Sequence, residues 1–155
     1  MSIEISLLAD RPELIDQLVA GYEAWSPDWY GPGGRGDARA DLMVRTRRES
    51  VPCGVVASEA GLAVGTCALA QESMSRQGEF RAWLVGLWVA PAHRRQGVAG
   101  ALLDAAVRQA AALHIGEVRA GMTTAGPLFA RCAWRELQPI LHQGVETQIW
   151  SIRPG

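Results

Sequence analysis

The stretch Arg94-Arg95-Gln96-Gly97-Val98-Ala99-Gly100 sets two cations and two glycines at the head of an apolar, helix-forming run. It follows residues 84–90, an almost wholly apolar strand that reads as buried on both faces, and Pro91 ends that strand by withholding a ladder donor. A helix start presents unpaired backbone N–H groups and the positive end of its dipole. Small residues let an anion come close to that backbone. The chemistry implied is the binding of a phosphorylated ligand. A Walker loop is excluded, because the sequence contains no lysine, and Gly97 and Gly100 do not follow the dinucleotide G-x-G-x-x-G spacing. What remains is R-x-x-G-x-A (Arg94, Gly97, Ala99) after a V-x-P strand end (Val89, Pro91).

Elements must be found to hold that stretch. Residues 3–8 alternate and read as a first strand. Asp10 is placed to cap a helix that carries Leu14, Leu18 and Tyr22 on one face. Residues 25–34, rich in aromatics and turn formers, break that helix. Residues 37–49 read as a second, arginine-rich helix with a solvated face. Residues 51–58 and 62–71 form a hairpin around Glu59-Ala60-Gly61, and residues 72–77 connect it to the apolar strand. A helix over 95–113 is ended by Gly116 and is followed by a short strand over 117–121. A last helix, capped by Thr123 or Thr124, runs to about Ala133. Residues 136–142 and 145–152 close the chain as a hairpin around Gln143-Gly144. The order βααβββαβαββ implies an α+β domain over residues 1–155. Its mixed, mostly antiparallel sheet has about seven strands, with helices on both faces.

Composition narrows the function. Of the 155 residues, 48% are hydrophobic and 20% charged, which suits a globular core. A net charge of −1 excludes a nucleic-acid protein held mainly by backbone charge. Cys53, Cys67 and Cys132 are odd in number and lack metal-ligand spacing, so free thiols in a reducing compartment and no metal are expected. The first residues do not read as a signal peptide, and no apolar run reaches membrane-spanning length. A cytoplasmic protein is expected.

In this setting the sequence resembles the GNAT family, the Gcn5-related acyltransferases that use acetyl-CoA. The resemblance is carried by Leu87-Trp88-Val89-Ala90-Pro91-Ala92-His93-Arg94-Arg95-Gln96-Gly97-Val98-Ala99-Gly100-Ala101-Leu102-Leu103, similar to that family's pyrophosphate-binding motif. A second stretch, Ala125-Gly126-Pro127-Leu128-Phe129-Ala130-Arg131-Cys132-Ala133-Trp134, resembles its A-x-x-L-Y-x-x-x-G-F ending. The resemblance implies that backbone groups of Arg95, Gln96, Gly97, Val98, Ala99 and Gly100 hold the pyrophosphate of acetyl-CoA, beside Arg94. Backbone groups of Leu87 and Val89 would pair with the pantetheine arm, in a splay between this strand and the next. A backbone N–H near Trp88 or Val89 would polarise the thioester carbonyl. Phe129 stands at the cofactor, where the family often has a tyrosine that protonates the leaving thiolate.

The resemblance implies transfer of acetyl to a primary amine, on a small molecule or a peptide, by direct attack in a ternary complex. The usual base positions hold Trp83 and Val85. Glu79 would share their face if the strand began early, so Glu79 and Glu72 are the candidate general bases, acting through water. His142 is an alternative, and Cys132 reads as packing. Trp25, Trp29, Tyr30 and Trp83 are the candidate acceptor residues, with Asp28 and Asp37 available for a cationic acceptor. A catalytically weak or inactive module that binds CoA or acyl-CoA is the alternative, since both usual proton-transfer positions are apolar. A homodimer is left open.

Overall fold

The computed structural model describes residues 2–71, 81–122, 126–142 and 144–155. Alternating and apolar runs become strands β1 (Glu4–Leu7), β2 (Cys53–Glu59), β3 (Leu62–Gln71), β4 (Arg81–Val89), β5 (Glu117–Met122), β6 (Arg135–Glu136), β7 (Ile140–His142) and β8 (Val145–Ile152). They form one eight-stranded sheet in the order β1-β2-β3-β4-β5-β8-β6, with β7 also paired to β8. Only β4 and β5 run parallel; every other described pairing is antiparallel. The strand expected over 136–142 is split in two. Pro139 cannot donate to a ladder, so the chain pairs with β8 on either side of it.

The helices are α1 (Ile15–Trp25), α2 (Pro27–Tyr30), α3 (Ala38–Met43), α4 (Val98–Ala112) and α5 (Gly126–Arg131). Leu14, Leu18 and Tyr22 are buried as their spacing requires. Asp10 caps nothing: its carboxylate accepts from Arg48, and a tight turn at Pro12–Leu14 precedes α1. The arginine-rich helix is cut short at Met43. There the backbone leaves to join β2, where Gly54 N–H donates to the Arg45 carbonyl (2.8 Å) and Thr46 bridges Cys53. Helix α4 ends at Ala112. His114, with φ of 59°, takes the left-handed position two residues ahead of Gly116.

Two cores sandwich the sheet. On one face Val98, Leu102, Leu103 and Ala106 of α4 pack on Val55, Leu69 and Leu84. On the other, Leu18 and Tyr22 of α1 and Leu42 of α3 pack on Val56 and Trp88. Full burial of each such aliphatic side chain contributes about 1.5–3 kcal/mol, so both faces of the central strands are held firmly.

Strand β4 departs from regularity in two ways. It pairs with β5 only through Arg81, Ala82 and Trp83, after which the two strands separate. Its register with β3 also shifts, from Ala68 opposite Val85 to Thr66 opposite Trp88, so Gly86 and Leu87 face the single residue Cys67. Before this bulge Ala82 and Leu84 face α4; after it Leu87 and Val89 do, while Trp88 turns to α1.

Candidate active site

The gap between β4 and β5 is fixed at its closed end by charge. Glu117 accepts from Ser151 Oγ (2.5 Å) and Arg119 Nε (2.9 Å), and Arg81 Nε lies 3.0 Å from its other oxygen. Burial pulls the Glu117 carboxyl upward, but the Ser151 and Arg119 hydrogen bonds and the Arg119 and Arg81 charges outweigh it and leave its pKa lowered. These residues sit where Arg81 pairs with Glu117 and Trp83 with Arg119, so the cluster marks the vertex of the opening.

Above the vertex the edge of β4 is open. Ala90 N–H donates to the Val64 carbonyl (2.8 Å), and antiparallel alternation then turns the amides of Leu87 and Val89 away from β3, toward the gap. The strand end leads into the cradle. Arg94 folds back, its Nε donating to the Val89 carbonyl (3.0 Å), and Gln96 Nε2 donates to the Ala92 carbonyl (3.3 Å). Arg95 (φ 62°) and Gly97 (φ 84°) both adopt left-handed backbone, a costly conformation for arginine. The first bond into α4 is from Ala101 N–H to the Gly97 carbonyl (3.1 Å). Among the described residues, no N–H from 95 to 100 makes a close, well-aligned hydrogen bond to a backbone carbonyl. The space where a Gly97 side chain would begin has no atom within 4 Å. Six consecutive amides, a helix dipole and an unfilled approach thus stand together at the head of α4, features that favour an anion.

The opposite face of β4 carries the aromatic group. Tyr22 is fully buried; Tyr30 stacks on it with ring centroids 5.4 Å apart, and Trp25 tilts against it at 5.8 Å. Trp25 and Trp29 are about half exposed, and Trp83 is half-buried on the same face of the sheet. Thus α1, α2 and β4 bring the expected acceptor residues to one side, although Trp29 leans on Tyr30 and on the backbone of Gly36. Asp37 is already engaged, as the N-cap of α3 accepting from Ala40 N–H (3.0 Å). Asp28 remains exposed.

The residues expected to move protons fare differently. Glu72 and Glu79 lie outside the described residues, as does the His142 side chain. Phe129 is fully buried between Trp134 (4.9 Å) and Trp150 (6.3 Å), so it belongs to the core and offers the cofactor no surface. Trp88 and Val98 likewise bury their side chains and present only backbone. Burial pushes the Cys132 thiol up, and the thiol lies behind Gly100, which fits packing. Among the described residues no group of His, Cys, Asp or Glu is gathered for a metal.

Three residues were not foreseen. Tyr22 Oη donates to the Gly86 carbonyl (2.7 Å) and accepts from Arg45 Nη1 (2.9 Å), and burial pushes the phenol up to about 12. Gly86 (φ 64°) must be glycine, because a Cβ there would stand 2.5 Å from Tyr22 Oη and 2.7 Å from Arg45 Nη1. The one available signal was a glycine inside an otherwise apolar strand.

The glycine-bearing turn lies beside a forked pair of strands, and the family model for "Acetyltransferase (GNAT) family" matches residues 18–133. The chain belongs to the GNAT acetyltransferase family. The match spans both the aromatic face and the cradle. No curated protein matches the sequence. Among solved structures, an N-acetyltransferase from Staphylococcus aureus Mu50 superposes with a TM-score of 0.79 at 14% identity, covering 100% of both chains. An aminoglycoside acetyltransferase from an uncultured soil metagenomic sample gives 0.71 at 24% identity, over 94% of this chain and 98% of the other. A protein of Salmonella typhimurium, solved with its cofactor acetyl-CoA, gives 0.74 at 14% identity over 100% and 95%. At these identities the likeness shows a shared fold. No helix among the described residues of this GNAT chain is long and apolar enough to cross a membrane.

Proposed function

We propose that this GNAT domain moves acetyl from acetyl-CoA to the primary amine of an acceptor, by direct attack in a ternary complex. The observation that carries the reading is the run of backbone amides from 95 to 100 without close backbone acceptors, at the end of a strand whose free edge opens into the β4–β5 gap. The pyrophosphate would lie on those amides, beside the exposed Arg94 and Arg95, and the pantetheine arm would run along Leu87 and Val89. Thioester attack would then occur at the free edge of β4. The amine nitrogen bonds to the carbonyl carbon, the Val89 N–H steadies the developing oxyanion, and the C–S bond breaks to release CoA thiolate. The ammonium proton leaves to water or to a carboxylate, for which Glu79 and Glu72 are the candidates. A thiol with a cysteine-like pKa of about 8.5 is a fair leaving group without a protonating acid, which accommodates Phe129. Trp25, Trp29, Tyr30 and Trp83 would flank the acceptor. A reducing, cytoplasmic setting suits the three free thiols.

The alternative, a module that binds CoA without catalysis, is favoured by Trp83, Val85 and Phe129, none of which can move a proton. Incubation with acetyl-CoA and a panel of primary amines, following free thiol, separates the two. Thiol release that depends on an amine supports transfer. Tight acetyl-CoA binding with no release for any amine supports the module.

A further inference from the structure

We infer that the acceptor amine carries a carboxylate and that Arg45 binds it, an inference that rests on the acetyl-transfer reading above. Arg45 lies two residues beyond α3 and is only 9% exposed. Its side chain's one hydrogen bond among the described residues runs from Nη1 to Tyr22 Oη (2.9 Å). No carboxylate among the described residues pairs with it. A buried cation without a counter-charge is unfavourable unless something supplies one. Its remaining nitrogens are not among the side-chain atoms that are both wholly sealed and unbonded.

The guanidinium itself lies beside β4. Arg45 Nη1 stands 2.7 Å from where a Gly86 Cβ would be, on the α1 side of the bulge, just past the last β4–β5 pair. Tyr22, held between the Gly86 carbonyl and Arg45, fixes the guanidinium in place. Tyr30 and Trp25 stand beside Tyr22 as walls. Asp41 accepts from Tyr30 Oη (2.8 Å) and does not pair with Arg45. An acceptor cationic at this point would meet a positive charge that no carboxylate among the described residues pairs with. A carboxylate would meet a preset planar fork that takes two oxygens at once. With the carboxylate on Arg45, an amine a few bonds away reaches the β4 edge where the thioester would lie. The acceptor class is therefore an amino acid or a close relative, with an apolar or aromatic side chain for the tryptophan and tyrosine walls.

The test uses the full chain, acetyl-CoA and matched acceptor sets: each of several apolar and aromatic amino acids, its carboxamide, and its decarboxylated amine. Free-thiol release should give kcat/KM at least tenfold higher for the acid than for its two neutral partners. Arg45→Gln should raise KM for the acid at least tenfold and bring the three acceptors level, with Arg45→Lys recovering part of the preference. Acetyl-CoA affinity checks that each variant is folded; if Arg45→Gln fails that check, the wild-type ratio decides alone. Equal or faster turnover of the neutral partners overturns the inference, as does a preference that survives in Arg45→Gln, or a panel in which no acid is turned over. Turnover of neutral amines alone removes this inference and leaves acetyl transfer standing. Failure to bind acetyl-CoA, or to release thiol with any amine, removes both.

Discussion

Gly97→Glu places a carboxylate in the approach to the cradle amides. The free protein has room for it, since no atom lies within 4 Å of the Cβ position. The residue must hold φ near 84°, which costs a side-chain-bearing residue about 1–2 kcal/mol. In a domain of this size, 1 kcal/mol lowers Tm by about 2–4 °C. The effect on the ligand is larger. A carboxylate about 5 Å from a phosphate charge repels it by about 3 kcal/mol at an effective dielectric near 20, and by about 0.8 kcal/mol if fully water-screened. At about 1.4 kcal/mol per tenfold, repulsion of one phosphate alone should weaken acetyl-CoA binding by about fourfold to somewhat over a hundredfold. Titration calorimetry on wild type, Gly97→Ala and Gly97→Glu separates the contributions, because the alanine variant carries the backbone strain without the charge. The loss in the glutamate variant should shrink as salt is raised. Equal affinity for Gly97→Ala and Gly97→Glu at low salt would refute the placement of the pyrophosphate on these amides.

Glu117→Gln should loosen the closed end of the gap and lower Tm in a pH-dependent way. The folded pKa of Glu117 is lowered, so its stabilisation is complete above the unfolded value of about 4.3 and is lost as pH falls through the folded value. The Tm difference between wild type and variant should therefore narrow in acid; a pH-independent difference would contradict this. Gly86→Ala combines a 2.5 Å approach to Tyr22 Oη with a φ of 64° and should cost about 2 kcal/mol or more, read in urea. Acetyl-CoA affinity should fall less than amine turnover, because the clash is on the Arg45 side of β4. Phe129→Tyr adds a hydroxyl to a fully buried ring and should cost about 1–3 kcal/mol if the group stays unbonded. Faster thiol release despite the lower stability would show that the hydroxyl reaches the leaving thiolate and that its lack limits turnover.

Much of the candidate cofactor half was legible as local structure. Pro91 ends a strand, Gly97 permits a left-handed N-cap, and the periodic apolar residues of α4 follow directly, so the feature lies within about twenty consecutive residues. The acceptor half was less legible because it depends on distant contacts. Arg45 stands among Arg39, Arg47 and Arg48 and reads like them as a solvated helix face. It turns inward only because its backbone joins β2 beside Gly54. The bulge at Gly86 reverses which β4 residues face α1, so a period-two reading of the strand holds up to Val85 and fails after it. Asp10 looked like a cap and is a partner of Arg48, 38 positions away, a pairing that no local rule favours.

The central claim is that acetyl-CoA lies on the amides of 95–100 and along the free edge of β4. Amide NMR of the labelled full chain, titrated with CoA, tests it residue by residue. The account predicts that the largest shifts fall on Arg95, Gln96, Gly97, Val98, Ala99 and Gly100, with a second set on Leu87 and Val89, while α1 is little affected. Saturating CoA that leaves these amides unmoved, or moves chiefly those of another surface, would contradict it.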